Sequence, residues 1–367
     1  MRNSRWVLLA LALAVSAAGI VAIYSSNCQK DDSYLQGAYK RQAIWLALGV
    51  VFFLLAGRFN YRRLWDLNYA LYALTLFLLA LVYALGAARM GAQRWLQFAV
   101  FNFQHSEFAK LAVVIFIARY FSQKSVYDTA LSSRRFGVFR GLALPLVFVA
   151  IPAAFIIGQP DLGSGAMVMM IFAALFFLSG VRARYFFAFL ALAALPLPFL
   201  WHFLRDYQKE RLMVFLNPNL DPLGVGYTII QSKIAIGSGG LFGKGWLAGT
   251  QSQLHFLPEA HTDFIFSGFA EEWGFWGSGL LLLAYYLLIR QGIIIAQRTS
   301  DSFGRLLAWG IALMLALQVF INLAMTLGLA PVVGLPLPLM SYGGSSLVTT
   351  YIALGILASI DRRRAVF

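Results

Sequence analysis

WVLLALALAVSAAGIVAIY, Trp6–Tyr24, contains no charged residue. A run of this length and character matches the roughly 20 apolar residues that carry a helix across bilayer hydrocarbon. Arg2 and Arg5 precede it, as in a secretory leader, but the run is long enough to span, so a retained first helix is expected. Comparable runs recur at Ala43–Ala56, Leu67–Leu85, Phe108–Phe121, Leu142–Ile157, Gly163–Gly180, Tyr185–Phe203, Phe264–Ile289, Leu306–Leu329 and Ser341–Ile360. The second and fourth are short and are expected to draw on their flanks. Hydrocarbon gives the backbone no water to bond with, so such runs become helices. They also lack the alternation of a membrane barrel. The expected fold is all-α and polytopic, with about ten transmembrane helices in one domain, 1–367.

Composition agrees: of 367 residues, 60% are hydrophobic and 12% charged, too little charge for a soluble domain of this size. The net charge of +14 is scattered over short loops and forms no stripe, which argues against nucleic acid. A single cysteine, Cys28, allows no internal disulfide. Arg58, Arg62, Arg63, Arg290, Arg298, Arg305, Arg362 and Arg363 fall on the side of the N-terminus. The bias of basic residues toward the cytoplasm therefore places both termini inside. The long loop 204–262 then lies outside, as do Asp161, Asp206, Glu210, Asp221, Glu259 and Asp263. Within it, Tyr227–Gly237 reads as a helix lying in the interface, and Gly237–Gly245 as a glycine-rich turn around Lys244. No phosphate loop or dinucleotide fingerprint is present. No internal repeat supports an inverted-repeat transporter.

Polar groups at the outer ends of the spans are the candidates for chemistry. In FLPEAHTDFIFSGFAEEWG, Phe256–Gly274, Asp263 stands where a polar loop enters an apolar helix. A carboxylate deep in a bilayer costs about 3 kcal/mol on insertion scales, so a function or a compensating contact is required. If Asp263 opens the helix, Ser267 and Glu271 follow on its face, giving a general base with a supporting carboxylate. The same position suits a helix cap. His261 could orient Asp263, act itself, or simply lie at the surface. Glu107 and Lys110, spaced i and i+3, suit an ion pair that either braces helices or shapes a cavity. Asp161, after Gln159-Pro160, suits a cap for the sixth span and a cavity-lining role. Arg41, Arg94, Arg211, Lys233 and Lys244 could meet a pyrophosphate or simply attract anionic lipid. No His/Cys/Asp cluster has metal-ligand spacing.

Five segments carry a family resemblance: Phe256–Gly274; GYTIIQSKIAIGSGGLFGKGWLAGTQSQ at Gly226–Gln253; GLPLPLMSYGGSS at Gly334–Ser346; RWLQFAVFNFQHSEFAK at Arg94–Lys110; and QPDLGS at Gln159–Ser164. Together they resemble the SEDS family (shape, elongation, division and sporulation), its RodA branch rather than its FtsW division branch. His105 and His255 depart from the family's usual residues without touching its acidic positions. The resemblance implies a ten-helix peptidoglycan glycosyltransferase of the bacterial inner membrane. Such an enzyme polymerises lipid II on the outer face into β-1,4 glycan during cell elongation. It implies partnership with a class B penicillin-binding protein and other elongation proteins. Asp263 falls on the family's essential aspartate, and Glu107 with Lys110 on its ion pair. Inversion at an α-linked glycosyl pyrophosphate needs a base and a neutralised leaving group. Asp263 would be the base; Lys233, Lys244, Arg211 or a divalent cation, Mg2+ or Mn2+, would meet the leaving group. A lipid II flippase and a scaffold for the penicillin-binding partner are the competing readings.

Overall fold

The computed structural model describes residues 4–30, 32–85, 87–89, 92–98, 101–123, 142–180, 183–195, 202, 206–221, 224–254 and 256–363. Arg2, His255 and the side chain of Arg94 lie outside that description. The helices are α1 Ser4–Asn27, α2 Ser33–Gln36, α3 Ala38–Arg58, α4 Arg63–Leu85, α5 His105–Ser122, α6 Leu144–Gly158, α7 Leu162–Leu178, α8 Ala183–Ala194, α9 Asp206–Leu216, α10 Val225–Ser238, α11 Thr250–Gln253, α12 Ile265–Arg298, α13 Ser302–Thr326 and α14 Gly344–Arg363. Each of the ten expected spans falls on one of α1, α3–α8 and α12–α14. Six segments, Ser4–Asn27, Ser33–Arg58, Arg63–Ala84, Ile265–Arg298, Ser302–Thr326 and Gly344–Arg363, are long and apolar enough to cross a membrane. α6 and α7 are shorter apolar helices. The far end of the seventh span, 196–201 and 203, lies outside the described residues.

One element departs from the helical expectation. β1 Ala87–Arg89, β2 Ala92–Phe98 and β3 Phe101–Gln104 form an antiparallel meander between α4 and α5, with Leu96 opposite Phe103. The alternation Phe101-Asn102-Phe103-Gln104 is the period-two signal of a strand, too short to register beside twenty-residue apolar runs.

Small residues set the helix contacts. α3 and α14 run side by side. Gln42 Nε2 donates to the Ser341 carbonyl near one end (3.0 Å). A Cβ on Gly49 would lie 2.8 Å from the Tyr351 ring, and one on Gly355 would lie 2.7 Å from the Phe53 carbonyl. Such close approach takes the place of a hydrophobic driving force between helices in lipid.

α12 is not continuous. Gly274 adopts φ 64°, ψ −161°, which breaks the helix. The turn Gly239–Gly245 docks on the break and takes up its backbone groups. Lys244 N and Gly245 N donate to the carbonyls of Glu271 and Glu272 (both 3.0 Å), while Phe275 N donates to the Gly240 carbonyl (2.9 Å). A Cβ on Gly274 would clash with Gly243 N. A broken membrane helix survives only where protein replaces the missing intrahelical bonds, and this turn supplies them.

Candidate functional site

Asp263 lies outside the helix. α12 begins at Ile265, and its N-cap is Phe264, with no side-chain cap. This corrects the expectation that Asp263 opens or caps the helix with Ser267 and Glu271 on its face. Asp263 instead ends a tight turn over Glu259–Phe264, in which Thr262 N and Phe264 N both donate to the Glu259 carbonyl (3.1 and 3.3 Å). The turn is seated on a small second core of Val214, Ile229, Leu257, Ala260, Phe264, Met325 and Val332. These side chains come from α9, α10, the turn itself, α13 and the segment after it, so they fix Asp263 from several directions. Asp263 remains half-buried.

The segment 327–338, between α13 and α14, gathers the candidate groups. Asn322 Nδ2 on α13 donates to the carbonyls of Asp263 (2.9 Å) and Leu335 (2.8 Å), tying the turn to this segment. Asp263 Oδ2 lies 3.5 Å from where a Cβ of Gly334 would stand, and Gly334 has φ 70°. A Cβ there would make ordinary contact with the carboxylate, so it is the left-handed backbone that favours glycine. Arg211 donates to the Val332 carbonyl at 3.1 Å. Lys233 is exposed, and its stem lies across Gly328. The helix expected at Tyr227–Gly237 is α10, and it docks on α12 and α13. Ser232 Oγ bonds Ser267 Oγ (2.7 Å) and the Thr326 carbonyl (2.6 Å).

The ion pair joins the same segment from inside the bundle. Lys110 Nζ lies 2.6 Å from Glu107 Oε1, with both side chains at most 3% exposed. Lys110 also donates to Gln318 Oε1 (3.2 Å), and Gln318 Nε2 donates to the Pro336 carbonyl (3.1 Å). Gln318 and Asn322 were not singled out from sequence. The available signal was two amide side chains spaced i and i+4 inside an apolar span. Asp161 caps α7 by accepting from Ser164 N (3.1 Å), and Ser106 Oγ donates to it at 3.4 Å. Asp161 therefore fixes the corner beside Glu107.

Glu271 and Lys244 belong to a different device. Glu271 is fully buried and pairs with Lys244 at 2.6 Å. It also accepts from Thr250 Oγ1 (3.0 Å) and Gln251 N (3.1 Å). The pair holds the glycine turn onto the break in α12. Lys244 thus has a carboxylate partner already, which corrects its expected place among cations awaiting a pyrophosphate, and Glu271 supports the turn rather than Asp263. Arg41 is likewise engaged, with Nε donating to the Tyr342 hydroxyl (2.9 Å) and the guanidinium 3.8 Å over the Tyr34 ring.

His261 packs its ring 5.8 Å from that of Tyr342. Burial, reinforced by the positive charges of Lys30 and Arg41 and opposed by Glu259, holds its pKa down to about 4. His261 is therefore neutral near pH 7. An unfolded histidine protonates near pH 6.5, so the unfolded chain binds more protons between these values and stability falls as pH drops from about 6.5 toward 4. The thermal midpoint of His261→Gln should vary less between pH 7 and pH 5 than that of the parent chain; an identical pH dependence would exclude this assignment.

Among the described residues no group of three His, Cys, Asp or Glu could hold a metal ion. A hydrated Mg2+ takes one or two carboxylates and completes its shell with substrate phosphates. Asp263 fits that demand without a protein cage.

The family of FtsW, RodA and SpoVE, described as cell cycle protein, matches residues 5–366. The chain belongs to that family. Among the FtsW/RodA/SpoVE relatives is the peptidoglycan glycosyltransferase MrdB of Escherichia coli (strain K12), 44% identical over 359 residues covering 98% of this chain and 93% of that one. The peptidoglycan glycosyltransferase RodA of Treponema pallidum (strain Nichols) is 33% identical over 431 residues, covering 98% of each. A solved chain of a peptidoglycan synthase complex, described for its structural coordination of polymerization and crosslinking, superposes with TM-score 0.81 at 33% identity, covering 98% of both chains. The crystal structure of the rod shape determining protein RodA of Thermus thermophilus gives 0.70 at 32% identity, covering 98% of this chain and 97% of that one. The chain is a multi-pass membrane protein of the same fold.

Proposed function

We propose that this chain is a peptidoglycan glycosyltransferase that polymerises lipid II at the outer face of the bacterial inner membrane, with both termini in the cytoplasm. Asp263 accepts the proton of the acceptor sugar's 4-hydroxyl as that oxygen bonds to the donor's anomeric carbon. The bond from that carbon to the pyrophosphate oxygen breaks in the same step, which inverts the centre. Pyrophosphate leaves without a general acid once its charge is met. Arg211 and Lys233 supply that charge; Arg41 is held by Tyr34 and Tyr342, and the side chain of Arg94 lies outside the described residues. A divalent cation, if bound, would add positive charge at the phosphates, held through Asp263.

The observation that carries this reading is the meeting of one half-buried carboxylate, Asp263, with Arg211 and Lys233 along a single short segment, 327–338. The glycosyltransferase names of the full-length relatives support it. A class B penicillin-binding protein and other elongation proteins are the proposed partners. Purified chain, alone and with such a partner, should convert lipid II to glycan strands resolved on a gel. Translocation of lipid II across liposomes without strand formation in either case would favour a flippase instead.

A further inference from the structure

We propose that the end of the bundle opposite Asp263 binds the phosphate of an anionic phospholipid. α3 and α14 start beside the Asp263 turn, since Gln42 bonds Ser341 and Ser341 Oγ donates to the Thr262 carbonyl. Over 21 residues α3 advances about 30 Å, the thickness of bilayer hydrocarbon. At its far end Arg362 and Arg363, in the last turn of α14, both reach back to the main-chain carbonyl of Arg58, at 2.9 and 3.0 Å. Arg62 and Arg63 follow at the start of α4, separated from Arg58 by one short turn closed by Arg63 N to the Asn60 carbonyl (2.9 Å). Five arginines from three helix ends therefore cluster here, and the charges of Arg62, Arg63 and Arg362 all act on Arg363.

The patch is under-neutralised. Asp301 faces it but accepts from Gly304 N (2.8 Å) and the Tyr61 hydroxyl (3.3 Å), and caps α13. Among the described residues Asp361 and Asp66, the latter in the first turn of α4, are the other carboxylates on the neighbouring turns. Among the described residues three acids stand against five arginines, and a carbonyl oxygen adds only part of a charge. Scattered basic residues would satisfy the general inward bias of positive charge, whereas these converge. Convergence suits a phosphate, which takes paired N–H donors from arginine.

The apolar surroundings select a lipid over a free phosphate. Val51, Leu54 and Leu55, one to two turns from Arg58 on one face of α3, are 51%, 40% and 54% exposed. A headgroup held by the arginines would lay an acyl chain along that strip. Basic clusters at the cytoplasmic ends of membrane helices are where anionic headgroups are recognised. In the orientation proposed above, this is the inner leaflet. The inference does not depend on the polymerase reading.

Native mass spectrometry of the full-length chain, offered phosphatidylglycerol or phosphatidylcholine, tests it. The parent chain should retain phosphatidylglycerol selectively. Arg62→Gln/Arg363→Gln should retain about 30-fold less, the loss of two basic contacts, while still melting cooperatively as a folded chain. Arg62→Lys/Arg363→Lys should fall between. Should the double glutamine variant not fold, the exposed single change Arg62→Gln should still cost about fivefold. Equal retention of both lipids by the parent chain, equal retention by the folded glutamine variants, or displacement of the lipid by millimolar glycerol phosphate would each overturn the proposal.

Discussion

Replacing Asp263 with alanine is expected to lower glycan synthesis from purified lipid II by at least about 100-fold, the low end of what a positioned general base contributes, while leaving the fold intact. The separation of these two effects follows from how the turn is held. Asn322 bonds the main-chain oxygen of Asp263, not its carboxylate. The helix that follows takes no cap from it. Phe264 and Ala260, both buried, anchor the turn on either side. Removing the carboxylate leaves these main-chain and apolar contacts in place and takes away the proton acceptor. Asp263→Asn, which keeps shape and loses basicity, should be as inactive as alanine. Thermal midpoints and strand-length gels on the two variants check this together. Activity within tenfold of the parent in either variant, at unchanged stability, would remove Asp263 from the base role.

How far the sequence alone reached depends on the kind of contact involved. The membrane helices were legible because an uncharged apolar run of about 20 residues has few other uses. Asp263 was legible as a polar group in an apolar setting, and Glu107 with Lys110 as a one-turn pair; both signals are local. The break in α12 was not. Glycine is common in membrane helices, and Gly274 becomes a break only because the turn 239–245 arrives to satisfy it, a contact between distant parts of the chain. Lys244 illustrates the same limit. Its partner Glu271 lies 27 residues away, so from sequence its charge looked available. Gln318 and Asn322 stand between these cases. Their spacing on one face of α13 marked a polar stripe, but nothing local showed that the stripe meets the carbonyls of 335 and 336.

The largest effect on stability should come from Lys110→Met. The change leaves Glu107 buried at 3% exposure without its cation, and breaking a buried pair from one side costs about 3–5 kcal/mol. Gln318 would also lose the donor to its Oε1 while still bonded to the Pro336 carbonyl through Nε2. Neutralising both partners, as Glu107→Gln/Lys110→Met, removes the orphaned charge and should recover most of the thermal midpoint. The charge-swapped pair Glu107→Lys/Lys110→Glu should recover less. It places a carboxylate against Gln318 Oε1, and turning that amide to offer Nε2 would set its oxygen against the Pro336 carbonyl. Midpoints ordered as parent, double neutral, swapped and single variant would show that the pair and Gln318 act as one network. If the swapped chain matches the parent in stability, the pair is an isolated brace and Gln318 is not its third member. If the double neutral variant is stable yet makes little glycan, the network's task is to hold segment 335–336, and through Asn322 the Asp263 turn, in the position the reaction requires.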